Sequence, residues 1–329
     1  VSDQNPPSSG PSDLRSAVAA GSKKRRTIIL TTSAVVAVAL IVGVVAIVSN
    51  LGGTASSAAG TPAAGERRSV KIATAEDSQF QDAIAAVASE KGLDVTWVNV
   101  DDWVLPNTEL VAGSVDANAF QHILYLSAFN AQNNADLTPV FSTVITQWGI
   151  FSSTLKNVSE IPSGGRVAIP DDPSNGGRAL NILASAGLIE LAADAGDFPT
   201  VENVTSNPKN LQFVALPARD IPLQFNDPSL SAVVVGTSYF DPAQNVSKDD
   251  ALFLDDSLDE KNLPYVNVVA TRADNADDPA WATLKEAYAD PRVADALEKE
   301  QFGNSVLVDV DVNTLRDKLA ELQKSASKK

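Results

Sequence analysis

The sequence predicts an acidic α/β body carried on one membrane-spanning helix. Three observations predict it. β-branched runs alternate with amphipathic stretches from residue 70 onward. An uncharged apolar run of 21 residues, 28–48, follows the tetrabasic cluster Lys23-Lys24-Arg25-Arg26. The formal charge of −16 over 329 residues lies beyond that run, since residues 1–27 are net positive. Alternating strand and helix is the pattern of α/β folding with mostly parallel sheet.

Composition limits the partners and the chemistry. With 25 Lys+Arg against 41 Asp+Glu, the surface is unsuited to phosphate backbones, so nucleic acid is not expected as a partner. Zero Cys excludes disulfides, thiolate metal sites, cysteine nucleophiles and cysteine-linked lipid. One His leaves little for histidine-built zinc sites, and no cofactor is expected. The length fits two lobes, or one domain with appendages. Lacking an initiator Met, the sequence is expected to have lost at least that residue.

The elements follow in order. Residues 1–22 are rich in Pro, Ser and small residues and show no apolar period, so 1–27 reads as a disordered tail. Residues 28–49 read as a transmembrane helix, because a helix of about 20 apolar residues spans roughly 30 Å of hydrocarbon. The tail carries five Lys/Arg and two Asp, net +3, which leaves −19 for the rest. The positive-inside rule then puts the N-terminus in the cytoplasm and the body outside. A cleaved signal peptide is the competing reading, with Ala55-Ser56-Ser57-Ala58 as the cut region. Residues 50–69 form a flexible linker of small residues.

In the body, strands are expected at 70–73, 94–100, 140–145, 149–155, 166–169, 211–215, 232–235 and 266–271. Helices are expected at 80–91, 107–112, 121–133, 178–186, 280–289, 292–302 and 312–324.

Catalytic templates are absent: no G-x-S-x-G, H-E-x-x-H, phosphate-binding loop or strand-linked G-x-G-x-x-G occurs. Asp309-Val310-Asp311-Val312-Asn313 opens like a calcium loop, but Thr314 and Ala320 stand where it needs Gly and Glu. The pairs Asp101-Asp102, Asp249-Asp250, Asp255-Asp256 and Asp277-Asp278 read as solvated surface.

Two segments are chemically pointed. The first is Asp171-Asp172-Pro173-Ser174-Asn175-Gly176-Gly177-Arg178, which joins a strand to a helix. Cap residues, glycines open to a ligand, a helix N-terminus and the Arg178 fork together suit a carboxylate. The same pattern fits an ordinary capped helix with a surface arginine. The second segment sets the one His among aromatics: Trp103, then Phe120, His122 and Tyr125. It fits the wall of a small-molecule pocket, or equally a core histidine in aromatic packing.

These segments resemble the NlpA/MetQ-type methionine-binding proteins of ABC importers. The matching stretches are LPNTELVAGSVDANAFQH (105–122), VAIPDDPSNGGRALNILASAGLIEL (167–191) and NPKNLQFVAL (207–216), with SAVVVGTSYF (231–240) and YVNVVATR (265–272) in the same order. The resemblance implies a two-lobed type II periplasmic-binding-protein fold, with 70–155 and 262–329 as lobe 1 and 156–261 as lobe 2. It implies a non-enzymatic role: binding L-methionine or a closely related amino acid in the cleft, for an ABC permease and its ATPase subunits. Trp103, Phe120, His122 and Tyr125 fall where the family encloses the ligand side chain. Asn175 and Arg178 fall at its head group, and Gly236 and Asn267 at further ligand positions. A short Met-containing peptide, another amino acid, or a receptor role on the same fold are the alternatives.

Three departures stand out. The family's V-I-N is Val234-Val235-Gly236, so a ligand-contacting Asn is missing, with Thr237 or Ser238 as substitutes. The P-M-G-L-Y-S pattern is Gln147-Trp148-Gly149-Ile150-Phe151-Ser152. The lipid-bearing Cys is absent, and the apolar run takes its place as anchor.

Overall fold

The structure is a computed structural model that describes residues 14–22, 67–100 and 102–327. The apolar run 28–48 lies outside the described residues, and among those described no helix is long and apolar enough to cross a membrane. Part of the expected tail is ordered. Helix α1 (Leu14–Ser22) buries Leu14 completely in the cluster that holds Leu315, Leu319 and Leu322, with Val18 packed alongside. Leu14 and Val18 share a face at i, i+4, and Arg15 pairs with Asp256. Tertiary packing of that face outweighs a composition that reads as coil.

The chain then alternates. Strand β1 (Arg68–Thr74), helix α2 (Gln79–Glu90), β2 (Leu93–Asn99), α3 (Leu105–Val111), β3 (Ala117–His122), α4 (Ile123–Asn133) and β4 (Leu137–Ser142) build a first region. A short β5 (Val144–Thr146) leads to β6 (Trp148–Phe151), β7 (Arg166–Pro170) and α5 (Pro173–Ser185). After a small pair, β8 (Glu190–Leu191) and β9 (Val204–Ser206), come β10 (Gln212–Leu216), β11 (Ala232–Gly236) and β12 (Ala251–Leu254). The chain closes with β13 (Asn267–Arg272), α6 (Ala280–Tyr288), α7 (Pro291–Gln301), β14 (Ser305–Leu307) and α8 (Val312–Ala326).

Two five-stranded sheets result, in the orders β2-β1-β3-β13-β4 and β10-β7-β11-β6-β12. They are mixed, where mostly parallel sheet was expected. β13 runs antiparallel to β3 and β4, and β6 runs antiparallel to β11 and β12. In each sheet the odd strand is the one that enters from the other sheet, which fixes its opposite direction. The first connection falls at 143–147, earlier than the expected boundary at 155, because Trp148–Phe151 is already a strand of the second sheet. β14 pairs with β5 and pins this connection. The return runs through 255–266.

Apolar residues cover both faces of each sheet. On the first sheet, Ile84, Val87, Trp281, Leu284 and Val293 from α2, α6 and α7 form one layer, and α4 with α8 forms the other. On the second, Leu180, Ile182 and Leu183 of α5 pack one face, and Ile221 and Phe240 the other. β11 is buried at all five positions, as expected of a strand covered on both faces, and its AVVVG run shows it.

Candidate ligand-binding cleft

The strand β3 runs directly into α4, and His122 is the hinge residue between them. Its backbone is extended and its Nδ1 accepts the Tyr125 N–H at 3.0 Å, capping the helix. An accepting Nδ1 places the ring proton on Nε2, which donates to Asn175 Oδ1 at 3.1 Å. That bond joins the first sheet's region to α5 of the second. Asn175 Nδ2 in turn donates to Asp172 Oδ2 at 2.9 Å. Asp172 is the cap of α5, its Oδ1 accepting the N–H groups of Ser174 and Asn175 at 3.1 and 2.9 Å.

The helix thus starts at Pro173, five residues before the expected Arg178. Ser174 and Asn175 lie in its first turn, and the cap is Asp172. Pro suits the first helical position, because its missing N–H costs nothing there. The two glycines serve packing: a Cβ on Gly176 would lie 2.8 Å from Pro170 O, and one on Gly177 would lie 3.0 Å from Pro199 Cδ.

One turn on, Arg178 is 2% exposed. Its guanidinium lies between two rings, with Cζ 4.8 Å from the Trp148 centroid and 4.2 Å from that of Tyr265. Nη2 donates to Thr146 O at 3.0 Å and to Asp255 Oδ2 at 2.9 Å. Its Nε is buried without a hydrogen-bond partner. Asp255 also binds the backbone of Trp148 in both directions: Oδ1 accepts the Trp148 N–H at 3.0 Å, and its own N–H donates to Trp148 O at 2.9 Å.

His122, Thr146, Trp148, Asn175 and Arg178 line a cavity of about 150 Å³ together with Trp103, Phe120, Tyr125, Ser238, Tyr239 and Asn267. Aromatic edges meet around it: Trp103 with Tyr239 at 5.4 Å, Phe120 with Tyr125 at 5.9 Å, His122 with Tyr265 at 5.7 Å. Tyr125 Oη donates to Trp103 O at 3.1 Å and holds that loop against α4. A wider opening of about 370 Å³ shares Glu76, Gln81, Trp103, Phe120 and Tyr239 with the cavity.

Burial, followed by the charge of Arg178, pulls the His122 pKa down from 6.5 to about 4, so the ring is neutral at physiological pH. Burial pushes the hydroxyls of Tyr125, Tyr239 and Tyr265 up. Among the described residues no cluster of His, Asp and Glu is arranged to hold a metal ion.

Seven of the eight residues singled out in the sequence line this cavity: Trp103, Phe120, His122, Tyr125, Asn175, Arg178 and Asn267. Gly236 does not. It sits behind Trp148, its register partner across β6 and β11, and a Cβ there would lie 2.9 Å from Trp148 Nε1. Sequence reading missed Trp148 and Tyr239 as lining residues, Tyr265 as the second ring on Arg178, and Asp255 as the partner of Arg178 and of the Trp148 backbone. Asp255 was read with Asp256 as solvated surface, yet its side chain is only 9% exposed, against 53% for Asp256. A buried Arg needs a carboxylate, but Asp255 lies 77 residues further along the chain, with no local signal to mark it.

A cleft between two α/β regions, crossed twice by the chain and holding a buried arginine among aromatics, is the architecture of periplasmic solute-binding proteins. Solved structures agree. A nutrient binding protein from Burkholderia cenocepacia bound to methionine aligns with a TM-score of 0.67 at 34% identity, covering 72% of this chain and 99% of that one. The methionine binding protein MetQ aligns with a TM-score of 0.66 at 35% identity, covering 74% and 99%. The model of the NlpA lipoprotein family matches residues 69–308, and the chain belongs to that family. The D-methionine-binding lipoprotein MetQ of Escherichia coli K12 is 36% identical over 238 residues, which is 72% of this chain and 86% of the relative. The MetQ of Yersinia pestis is equally similar, at 36%.

Proposed function

We propose that the protein is an extracytoplasmic solute-binding protein of an ABC importer, and that it binds methionine or a close analogue in the cleft. The observation that carries the reading is Arg178: a buried cation held between two rings, its Nε without a partner, lining a small aromatic cavity. A carboxylate is the natural partner for such a donor. Trp103, Phe120, His122 and Tyr125 supply polarizable edges, which a thioether favours. Asn175 serves the head group and Asn267 borders it. The strand orders, each with the entering strand in fourth place, support the type II arrangement.

The apolar run 28–48 supports a single-pass anchor with the N-terminus in the cytoplasm and a permease with its ATPase as membrane partners. A chain threaded through the bilayer there holds residues 1–26 on the opposite side from the body. That topology and α1 packed against Leu315, Leu319 and Leu322 exclude each other, and the side of the membrane on which residues 1–26 lie distinguishes them.

A short Met-containing peptide is the second reading, favoured by the wider opening that continues from the cavity. Mass spectrometry of small molecules released by denaturing freshly purified protein tests both. Free methionine is the expected species, and a peptide would shift the assignment to the second reading. Release of neither, with no calorimetric binding of methionine to stripped protein, overturns both.

A further inference from the structure

We propose that Trp148 is a specificity-determining residue of the cleft, admitted by Gly236, and that the two positions act as one unit. The inference rests on reading the cleft as an amino-acid site. Its observations are geometric. Gly236 and Trp148 face each other in the β6–β11 ladder. Gly236 has ordinary extended backbone, with φ −64° and ψ 137°, so its conformation alone does not call for glycine. What calls for it is the indole: a Cβ at 236 would meet Nε1 at 2.9 Å, and Cδ1 and Cε2 at 3.3 Å each.

The indole cannot easily move aside. It is 1% exposed, with Arg178 on its face and the Tyr239 ring 5.7 Å away at 76°. Its backbone is held in both directions by Asp255. Trp148 therefore takes the space that a side chain at 236 would need, and it lines the cavity where Gly236 does not. The resemblance leads one to expect a Met at 148 and an Asn at 236. Here a larger ring stands at the first position and no side chain at the second. The departures compensate in volume, and they replace a polar amide at the head group by an aromatic wall that also positions Arg178. The site thereby selects its ligand by the shape of the indole and the charge of Arg178, with no amide from β11.

The test is a cycle of Gly236→Asn, Trp148→Met and the double variant, with L-methionine titrated calorimetrically into stripped protein. Each single change is expected to weaken binding at least tenfold, and the double variant to recover to within about threefold of the unmodified protein. Trp148→Phe with Gly236→Ala is the gentler pair, followed by thermal melting without ligand. Gly236→Ala should lower the melting temperature, and Trp148→Phe should restore part of the loss. Single changes that leave affinity unaltered, or effects that simply multiply, overturn the proposal. If the unmodified protein ignores L-methionine and the double variant binds it, the pair sets specificity and the proposed function fails. If neither binds it, the pairing falls as well.

Discussion

Replacing Arg178 by Met keeps much of the side chain's length and removes its charge. In the native cleft, Asp255 Oδ2 depends on Arg178 Nη2 at 2.9 Å, and the carboxylate is 9% exposed. The variant leaves that carboxylate buried with only the Trp148 N–H, at 3.0 Å on Oδ1. Removing one partner of a buried ion pair costs about 3–5 kcal/mol, mostly through the charge left behind. Arg178→Met should therefore lose about that much stability in urea unfolding. Arg178→Met with Asp255→Asn should regain at least about 2 kcal/mol of it, because the stranded charge is gone. Methionine binding behaves differently. Both variants lack the cation for the ligand carboxylate, so both should bind about 2–5 kcal/mol more weakly, roughly 30-fold to several thousand-fold. Calorimetry on folded samples checks this. A stability loss below about 1 kcal/mol would refute the buried-pair argument, and less than a tenfold loss of affinity would remove Arg178 from the site.

Further outcomes are expected. An unfolded histidine takes up a proton below about pH 6.5, whereas His122 resists until about 4, so the unfolded state binds more protons across that window. Stability should be complete above pH 6.5 and fall by roughly 3 kcal/mol as pH drops towards 4. His122→Gln should flatten that slope in urea unfolding, and equal slopes would contradict the assignment. Asp172→Ala removes the cap of α5 and the partner of Asn175 Nδ2, and should cost about 1–2 kcal/mol in the same assay while weakening ligand binding. N-terminal sequencing of membrane-extracted protein should find the basic segment before residue 28, and a mature terminus near Ala58 would show cleavage instead. A cysteine placed at Ser8 should resist impermeant maleimide on whole cells when 28–48 spans the bilayer, and label when the tail lies outside.

Much of the fold was legible because the signals were local. β7, β10, β11 and β13 are short apolar runs, and α2 shows Ile84, Val87 and Ala88 at helical spacing. β3 was hidden, because its Asn118 and Gln121 are buried polar residues where a strand pattern expects apolar ones. They are satisfied by Asn107: Gln121 Nε2 donates to Asn107 Oδ1 at 2.5 Å, and Asn118 Nδ2 to the same oxygen at 2.8 Å. No periodicity in a strand reveals a partner on a helix elsewhere in the chain. The start of α5 was misjudged because Asp172, Ser174 and Asn175 are all good caps, and only the observed bonds choose among them. In the cleft, Tyr239 and Tyr265 lie within the stretches 231–240 and 265–272, but nothing local marks them as neighbours of the site. Trp148, Tyr239, Asp255 and Tyr265 were missed because distant stretches of chain bring them together around Arg178.

Arg178 touches both passages of the chain between the sheets. Thr146 and Trp148 belong to the end of the outward passage, and Asp255 and Tyr265 to the return. One guanidinium thus acts as a rivet through two straps. Swinging one sheet against the other moves the straps relative to each other and strains the same bonds that hold the cation in place. If the proposed carboxylate binds at Arg178, it would compete with those bonds, so ligand binding and the joint between the two straps would draw on the same guanidinium.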